Sequence, residues 1–190
     1  MRVAAYVGSF DPVHKGHIEI VNQIIREDKA DMVFVIATSD YWNKHINLSL
    51  KQRMALLKIF ASDRIKVLSD RVRNKPRQYT YELLDAIKKE YLDEDDELML
   101  VMGADNIVKF DEWKNYQTLL DKYPFILIRR DDIDIAEYMK RYGKKDYHIL
   151  NLEPMDISST YIRENLDDFE KIKDMIDERV YKRLMKYRKG

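Results

Sequence analysis

Two histidines, two glycines and a proline crowd into GSFDPVHKGH, residues 8–17. The whole chain of 190 residues holds only four histidines, five glycines and four prolines. Crowding of this kind, at the exit of an apolar segment, points to a site. Gly8 lets the backbone turn and lets a ligand approach closely. Pro12 stiffens the turn. Gly16 falls near the first turn of the helix that follows, where a missing side chain again opens space. A helix start offers unpaired N–H groups and the positive end of its dipole, so it draws an anion. His14 and His17, three residues apart, fall on one side of that start. Two imidazole donors beside a helix N-terminus make a phosphate site. The residue order matches neither the Gly-Lys-Ser/Thr phosphate loop nor the Gly-x-Gly-x-x-Gly turn. A competing reading has the two histidines capping the helix and facing water. Zinc is a further alternative, but two histidines need a third ligand and the chain has no cysteine.

A second constellation is DISSTYIRENL, residues 156–166. Ser158 or Ser159 can cap the helix that follows. Thr160 adds a hydroxyl in its first turn, and Arg163 projects one turn further. Hydroxyls beside an arginine suit phosphate, although Ser-Ser-Thr is also a common helix start. The acidic run DEDDE, residues 93–97, reads as a solvated loop, because consecutive carboxylates do not converge on a metal without a dedicated loop fold. Arg71, Arg73, Lys75 and Arg77 read as a basic solvated loop, from which one side chain could still reach an anionic substrate.

These residues need a scaffold, and the hydrophobic pattern supplies one. Residues 2–7 are strand-like. The run MVFVIAT, residues 32–38, is almost continuously apolar, as in a strand covered on both faces. Further short strands fall at 64–68, 98–102, 125–128 and 148–152. Helical spacing covers 17–27 through Ile18, Val21, Ile24 and Ile25. It also covers 50–61, with Met54, Leu57 and Phe60 on one side, then 79–91 and 133–142. After Pro154 the strands stop, and 158–165 and 169–187 read as two helices. The second carries Phe169, Ile172, Ile176, Val180 and Leu184 at steps of three or four. Strand–helix alternation predicts an α/β, doubly wound, Rossmann-like parallel sheet with helices on both faces and a helical C-terminal segment. We expect one domain over residues 1–190, an α/β core at 1–157 and C-terminal helices at 158–190. In such a fold the ligand sits beyond the carboxyl ends of the strands, at the topological switch point.

Composition narrows the function classes. The absence of cysteine excludes disulfides, thiolate metal sites and cysteine nucleophiles. Lysine plus arginine equals aspartate plus glutamate, 34 each. That balance argues against a general grip on nucleic acid, which takes a basic excess. No apolar run approaches a membrane span, and the N-terminus shows no signal-peptide pattern. The expectation is a cytoplasmic protein without a nucleic-acid or membrane partner. A homo-oligomer is compatible with the sequence.

The pattern Gly8-Ser9-Phe10-Asp11-Pro12-x-His14-x-Gly16-His17, with Ile157-Ser158-Ser159-Thr160-x-Ile162-Arg163 far downstream, resembles the nucleotidyltransferase superfamily that shares the His-x-Gly-His motif. Between them lie SLKQRMALL (49–57), QYTYELL (78–84), GADNIVKFDEWKNYQTLL (103–120) and ILIRR (126–130). In that order they resemble the nicotinate-nucleotide adenylyltransferase family. Two positions depart from its pattern: Val7 stands where a glycine is usual, and Gln78 where serine is common. VGSFDP is closer to pantetheine-phosphate adenylyltransferases, which usually have threonine at the place of His14.

The resemblance implies adenylyl transfer from ATP to nicotinate mononucleotide, giving the dinucleotide and pyrophosphate with no covalent enzyme intermediate. It implies Mg²⁺ held mainly through ATP phosphates, with no metal site of the protein's own. By the same resemblance His14, His17 and Arg163 act on the ATP phosphates. Gly8, Ser9 and Phe10 pass backbone beside both substrates, and Gly16, Ile157, Ser159 and Thr160 complete the ATP side. Gly103 and Asp105 contact nucleotide sugar. Thr80 and Tyr81 lie where the nicotinate group is received, Trp113 stacks on the pyridine ring, and Lys44 and Arg130 are further phosphate contacts. Plain readings stand beside these. Trp113 could be helix packing, Asp105 a helix cap, and Lys44 merely solvated. The alternatives in function are a nicotinamide-mononucleotide or dual-specificity enzyme, a pantetheine-phosphate adenylyltransferase, a small-alcohol cytidylyltransferase, and a nucleotide-sensing module without turnover.

Overall fold

The apolar runs become strands whose side chains feed two cores, one on each face of a sheet. The computed structural model describes residues 1–39, 46–77, 79–130, 132–153 and 155–190. Lys44 and Gln78 lie outside them. Eight strands form among the described residues: β1 (Arg2–Gly8), β2 (Met32–Ala37), β3 (Ile65–Ser69), β4 (Arg71–Val72), β5 (Lys75–Pro76), β6 (Glu97–Gly103), β7 (Phe125–Ile128) and β8 (Tyr147–Leu150). Six of them make one sheet in the order β3-β2-β1-β6-β7-β8. Every pairing in it is parallel. The chain order reverses between β1 and β6, so the switch point lies at their carboxyl ends.

Alternation along the strands sends Ala4, Val33, Val35, Met99 and Ile126 to one core and Val3, Ala5, Phe34, Leu100 and Phe125 to the other. The first core is closed by α1 (Lys15–Arg26), α2 (Leu50–Leu57) and the C-terminal helices. The second is closed by α3 (Thr80–Tyr91), α4 (Ala104–Ile107), α5 (Tyr116–Lys122) and α6 (Ile135–Arg141). The doubly wound expectation describes this arrangement. No helix among the described residues is long and apolar enough to cross a membrane.

Three local expectations need correction. Helix 50–61 ends at Leu57 and tightens into a 3₁₀ turn, Lys58–Phe60. Leu57 of the expected face is buried and Met54 and Phe60 pack half-buried against the first core, while Arg53 and Leu56 are buried beside them. The basic stretch at 71–77 is not a loop. Arg73 and Asn74, at φ 53° and 62°, make a left-handed two-residue turn that pairs β4 with β5. Val72 is the buried member of this hairpin, and the basic side chains flank it. The 169–187 helix is two helices, α8 (Phe169–Ile172) and α9 (Glu178–Lys189), following α7 (Ser159–Glu164). Asp177 caps α9 by accepting from the Arg179 N–H, which starts a new helix there. The gap between α8 and α9 turns the Met175 carbonyl toward the Lys15 N–H at the start of α1, at 2.9 Å.

Arg53 is fully buried, an exceptional place for an arginine. Its Nε donates to the Leu48 carbonyl at 3.1 Å and its Nη1 to the Ser9 carbonyl at 2.7 Å. It thereby ties α2 to the loop that leaves β1. Arg53→Met leaves both carbonyls short of a donor in a buried setting. We expect a loss of about 2–4 kcal/mol in unfolding free energy, measured by urea denaturation. A variant as stable as the parent would remove Arg53 from the fold's structural supports.

Candidate active site

The loop after β1 is held from several sides. Phe10 adopts a left-handed backbone, φ 48°, which is strained for a bulky residue. Its buried ring meets the Tyr6 ring edge-on at 5.3 Å and the His17 ring at 4.9 Å between centroids. Asp11 is 3% exposed, and its carboxylate accepts from the Asn47 N–H at 2.8 Å and the Leu48 N–H at 3.0 Å. The Asp11 carbonyl accepts from the Arg163 guanidinium, and the Pro12 carbonyl from the Ser159 hydroxyl at 2.9 Å. Ser158 caps α7 through its own hydroxyl, which accepts from the Tyr161 N–H. Helix α7 (Ser159–Glu164) is thus fastened to the β1 loop through two backbone carbonyls.

His14 and His17 open α1 as a reciprocal cap. The His17 N–H donates to His14 Nδ1 at 3.4 Å, and the His14 N–H donates to His17 Nδ1 at 3.2 Å. The rings stack 3.5 Å apart, 19° from parallel. An Nδ1 that accepts carries no proton, so in each neutral ring the hydrogen sits on Nε2. Burial is the first cause that pushes the His14 ring down to about 4, with the Arg130 cation second. Burial, then the His14 ring, then Arg130 hold His17 well below the ordinary histidine value. Both rings are therefore neutral N–H donors near pH 7. The expectation of an unpaired helix start is met only in part. The Lys15 N–H is taken by Met175 and the His17 N–H by His14. The histidines do cap the helix, but His14 is buried and His17 half-buried, and they line two cavities.

The smaller cavity, about 310 Å³, is lined by His14, Gly16 and His17 on one side. Ile128, Arg130, Met155 and Ile157 lie across from them. The larger, about 490 Å³, is lined by Gly8, Ser9, Phe10 and His17, with Thr38, Thr80, Gly103, Asp105, Trp113 and Arg130 around them. His17, Ile128 and Arg130 line both, so the two spaces meet at a shared wall. Two glycines on their rims leave room for neighbouring side chains. A Cβ at Gly16 would stand 3.1 Å from the His14 ring, and one at Gly103 would collide with the Asp105 carboxylate. Asp105 also faces Arg130, Oδ1 to Nε at 3.8 Å. Gly103, not Asp105, occupies the cap position of α4.

Some anticipated residues lie elsewhere. Tyr81 stacks on Tyr79 at 6.1 Å and packs against the second core. Ser159 and Arg163 spend polar groups on the β1 loop, as described, and the Thr160 hydroxyl accepts from Arg163 at 3.1 Å. Arg163 lines a third cavity with Pro12, Gln52 and Arg188. The Trp113 ring packs 5.2 Å from Phe110, just beyond a 3₁₀ turn rather than within a helix, and it also lines the larger cavity. Val7 lines that cavity too. Sequence reasoning passed over Asp11, Thr38 and Arg53. A signal existed for Arg53, which shares the helical spacing of Leu50 and Leu57. Among the described residues no three His, Asp or Glu side chains are grouped to hold a metal ion.

Residues 5–165 match the family described as Cytidylyltransferase-like. The chain is similar to a probable nicotinate-nucleotide adenylyltransferase of Fusobacterium nucleatum, 30% identical, with 98% of each chain covered. A protein of the same description from Clostridium tetani is 29% identical over 97% of this chain and 96% of its own. Among solved structures, Plasmodium falciparum nicotinic acid mononucleotide adenylyltransferase, complexed with NaAD, superposes with a TM-score of 0.79. It is 23% identical, and the match covers 98% of this chain and 95% of that one. On sequence and fold together, the chain belongs to the cytidylyltransferase-like family.

Proposed function

We propose that this chain is a nicotinate-nucleotide adenylyltransferase, which joins the adenylyl group of ATP to nicotinate mononucleotide. The observation that carries the reading is the shared wall. A reaction between two nucleotides needs two sites whose phosphates meet, and the two cavities meet at His17 and Arg130. The names of the full-length relatives support the same substrates.

In this reading ATP occupies the smaller cavity and the mononucleotide the larger. The acceptor phosphate is already ionised near neutral pH, so it needs no general base. One of its oxygens attacks the α-phosphorus of ATP in line. A new P–O bond forms, the bond from the α-phosphorus to the bridging oxygen breaks, and pyrophosphate leaves with the electron pair. Catalysis rests on alignment and on preorganised donors rather than on a covalent intermediate. His14 and His17 offer Nε2–H to the ATP phosphates. Because both rings are neutral, they bind charge as dipoles. The fixed cation at the junction is Arg130. Arg163 and Ser159 brace the His14 loop from α7, and the Thr160 hydroxyl holds the Arg163 guanidinium. Gly8 to Phe10 run between the substrates, Asp105 takes ribose hydroxyls, Trp113 stacks on the pyridine ring, and the start of α3 at Thr80 receives the nicotinate group. Mg²⁺ enters with ATP as part of the substrate, held by phosphate oxygens and water. When bound, it neutralises charge on the phosphates. We place the activity in the cytoplasm and treat residues 1–190 as one catalytic domain.

The direct test is pyrophosphate release with ATP and a panel of nicotinate mononucleotide, nicotinamide mononucleotide and phosphopantetheine. Nicotinate mononucleotide should give the highest kcat/KM. A preference for either of the others would overturn the acceptor assignment, and tight ATP binding without any turnover would favour a sensor.

His17→Ala should lower kcat by about a hundredfold to a thousandfold, with an unchanged circular dichroism spectrum. Unchanged turnover would dismiss the phosphate-site role. Trp113→Ala should raise KM for the pyridine nucleotide more than for ATP; equal changes would reduce Trp113 to packing.

The histidines also set a pH dependence. The unfolded chain protonates them near 6.5, whereas folded His14 stays neutral down to about 4. A folded-state value below the unfolded one gives stability that is complete above about pH 6.5 and lost as pH falls toward 4. For His14 alone the loss is on the order of 3 kcal/mol. Ring-proton NMR of the ligand-free protein should place the His14 midpoint near 4. A midpoint at the ordinary histidine value would mean an open, solvated ring.

A further inference from the structure

Asp70 stands one residue beyond β3 and is 3% exposed. It lines neither active-site cavity, and the mechanism above makes no use of it. Four hydrogen bonds meet there. Its Oδ2 accepts from the Ser39 N–H and from the Ser39 hydroxyl, each at 2.7 Å. Its N–H donates to the Ala37 carbonyl at 3.0 Å, and its carbonyl accepts from the Arg77 N–H at 3.2 Å. The exits of β2, β3 and the β4–β5 hairpin are thereby tied at one residue.

Two of the tied segments lead into the larger cavity. Thr38, the residue before Ser39, lines it, and its N–H donates to the Gly8 carbonyl at 3.0 Å. Arg77 lies three residues before Thr80, which lines the same cavity and opens α3. None of Thr38, Ser39, Asp70, Arg77 or Thr80 lines the smaller cavity. The knot therefore belongs to the acceptor side alone.

The other carboxylate oxygen, Oδ1, is buried without a hydrogen-bond partner. Asparagine would serve Ser39 through its carbonyl and would bury no charge. A buried carboxylate oxygen left without a donor is costly, so the charge calls for a function. The residue whose backbone is bound to Asp70 is itself a cation. Among the described residues the Arg77 guanidinium makes no hydrogen bond or ion pair, while its backbone is bound to Asp70.

We propose that Asp70 is a positioning residue for the acceptor: its free Oδ1 takes the Arg77 guanidinium when the larger cavity is filled, and the pair fixes Thr38 and Thr80 as opposite walls around the bound mononucleotide. This rests on the assignment of the larger cavity to the acceptor. Asp70 holds the walls through Ser39 and Arg77 and touches no reacting atom.

The test compares the parent with Asp70→Asn, Arg77→Gln and the double variant. KM and kcat are measured for ATP and for the best acceptor of the panel, together with Tm. Asp70→Asn keeps the oxygen that serves Ser39, so a purely structural role predicts an unchanged or raised Tm and unchanged kinetics. We expect each single variant to raise acceptor KM about tenfold, with kcat and ATP KM within about twofold, and the double variant to add nothing further. An unchanged acceptor KM in either single variant, equal changes in both KM values, or additive effects in the double variant would overturn the proposal. The parent's acceptor preference reports on the functional assignment, and the ratio of variant to parent reports on Asp70, so the two can fail separately.

Discussion

Each of the two site histidines accepts the backbone N–H of the other through Nδ1. Much of the chemistry follows from that exchange. It commits one nitrogen of each ring to the helix cap and leaves the other as a donor of known position. It also removes ambiguity of tautomer, because a protonated Nδ1 would confront an N–H. Stacking at 3.5 Å then fixes the two rings relative to one another. Such a pair is poorly suited to carry charge: one imidazolium against a second would be repelled, and burial disfavours both. The arrangement favours dipoles that need no reorganisation when a polyanion arrives. The strained Phe10, the absent side chain at Gly16 and the carboxylate of Asp11 all serve to hold this pair in place.

Charged side chains at the site come with partners of opposite charge or polar acceptors nearby. Arg130 reaches both cavities and is already opposed by Asp105. Arg163 is turned against Asp11 and Thr160. Each cation is thus restrained by an acceptor before any substrate binds. Restraint of this kind limits unproductive anion binding and keeps the guanidinium planes near their working positions.

Much of this could be read from the sequence, for reasons tied to particular residues. The near-continuous apolar runs of β1, β2, β6 and β7 announced a parallel sheet, because strands buried on both faces have little choice of residue. His14, Gly16 and His17 declared a site because their types are rare in this chain and their spacing is that of one helix turn. What stayed hidden depends on tertiary partners. Nothing in the string ISSTYIR says that Ser159 and Arg163 bond to the carbonyls of Pro12 and Asp11, since a carbonyl is present at every residue. The split between α8 and α9 was hidden because the apolar spacing runs on through Ile172, Ile176, Val180 and Leu184, all of which are buried. Only the capping role of Asp177 marked the break. The hairpin at 71–76 was masked by its charge, because a two-residue turn at Arg73-Asn74 lacks the usual glycine.

The gap between α8 and α9 has a consequence for how the protein comes into being. The Lys15 N–H at the mouth of the site is bound by the Met175 carbonyl, and the Lys15 ammonium by the Lys173 carbonyl, 158 positions away in sequence. The glycine- and histidine-rich loop is made well before the parts that complete it, because Lys173 and Met175 follow it by more than 150 residues. A nascent chain can lay down β1, β2 and β6 while still tethered, yet the entrance of α1 remains unfinished until the C-terminal helices dock. The site's entrance is therefore complete only once the segment that carries Lys173 and Met175 has been made. A polypeptide released early would carry the site's most recognisable residues without the means to use them.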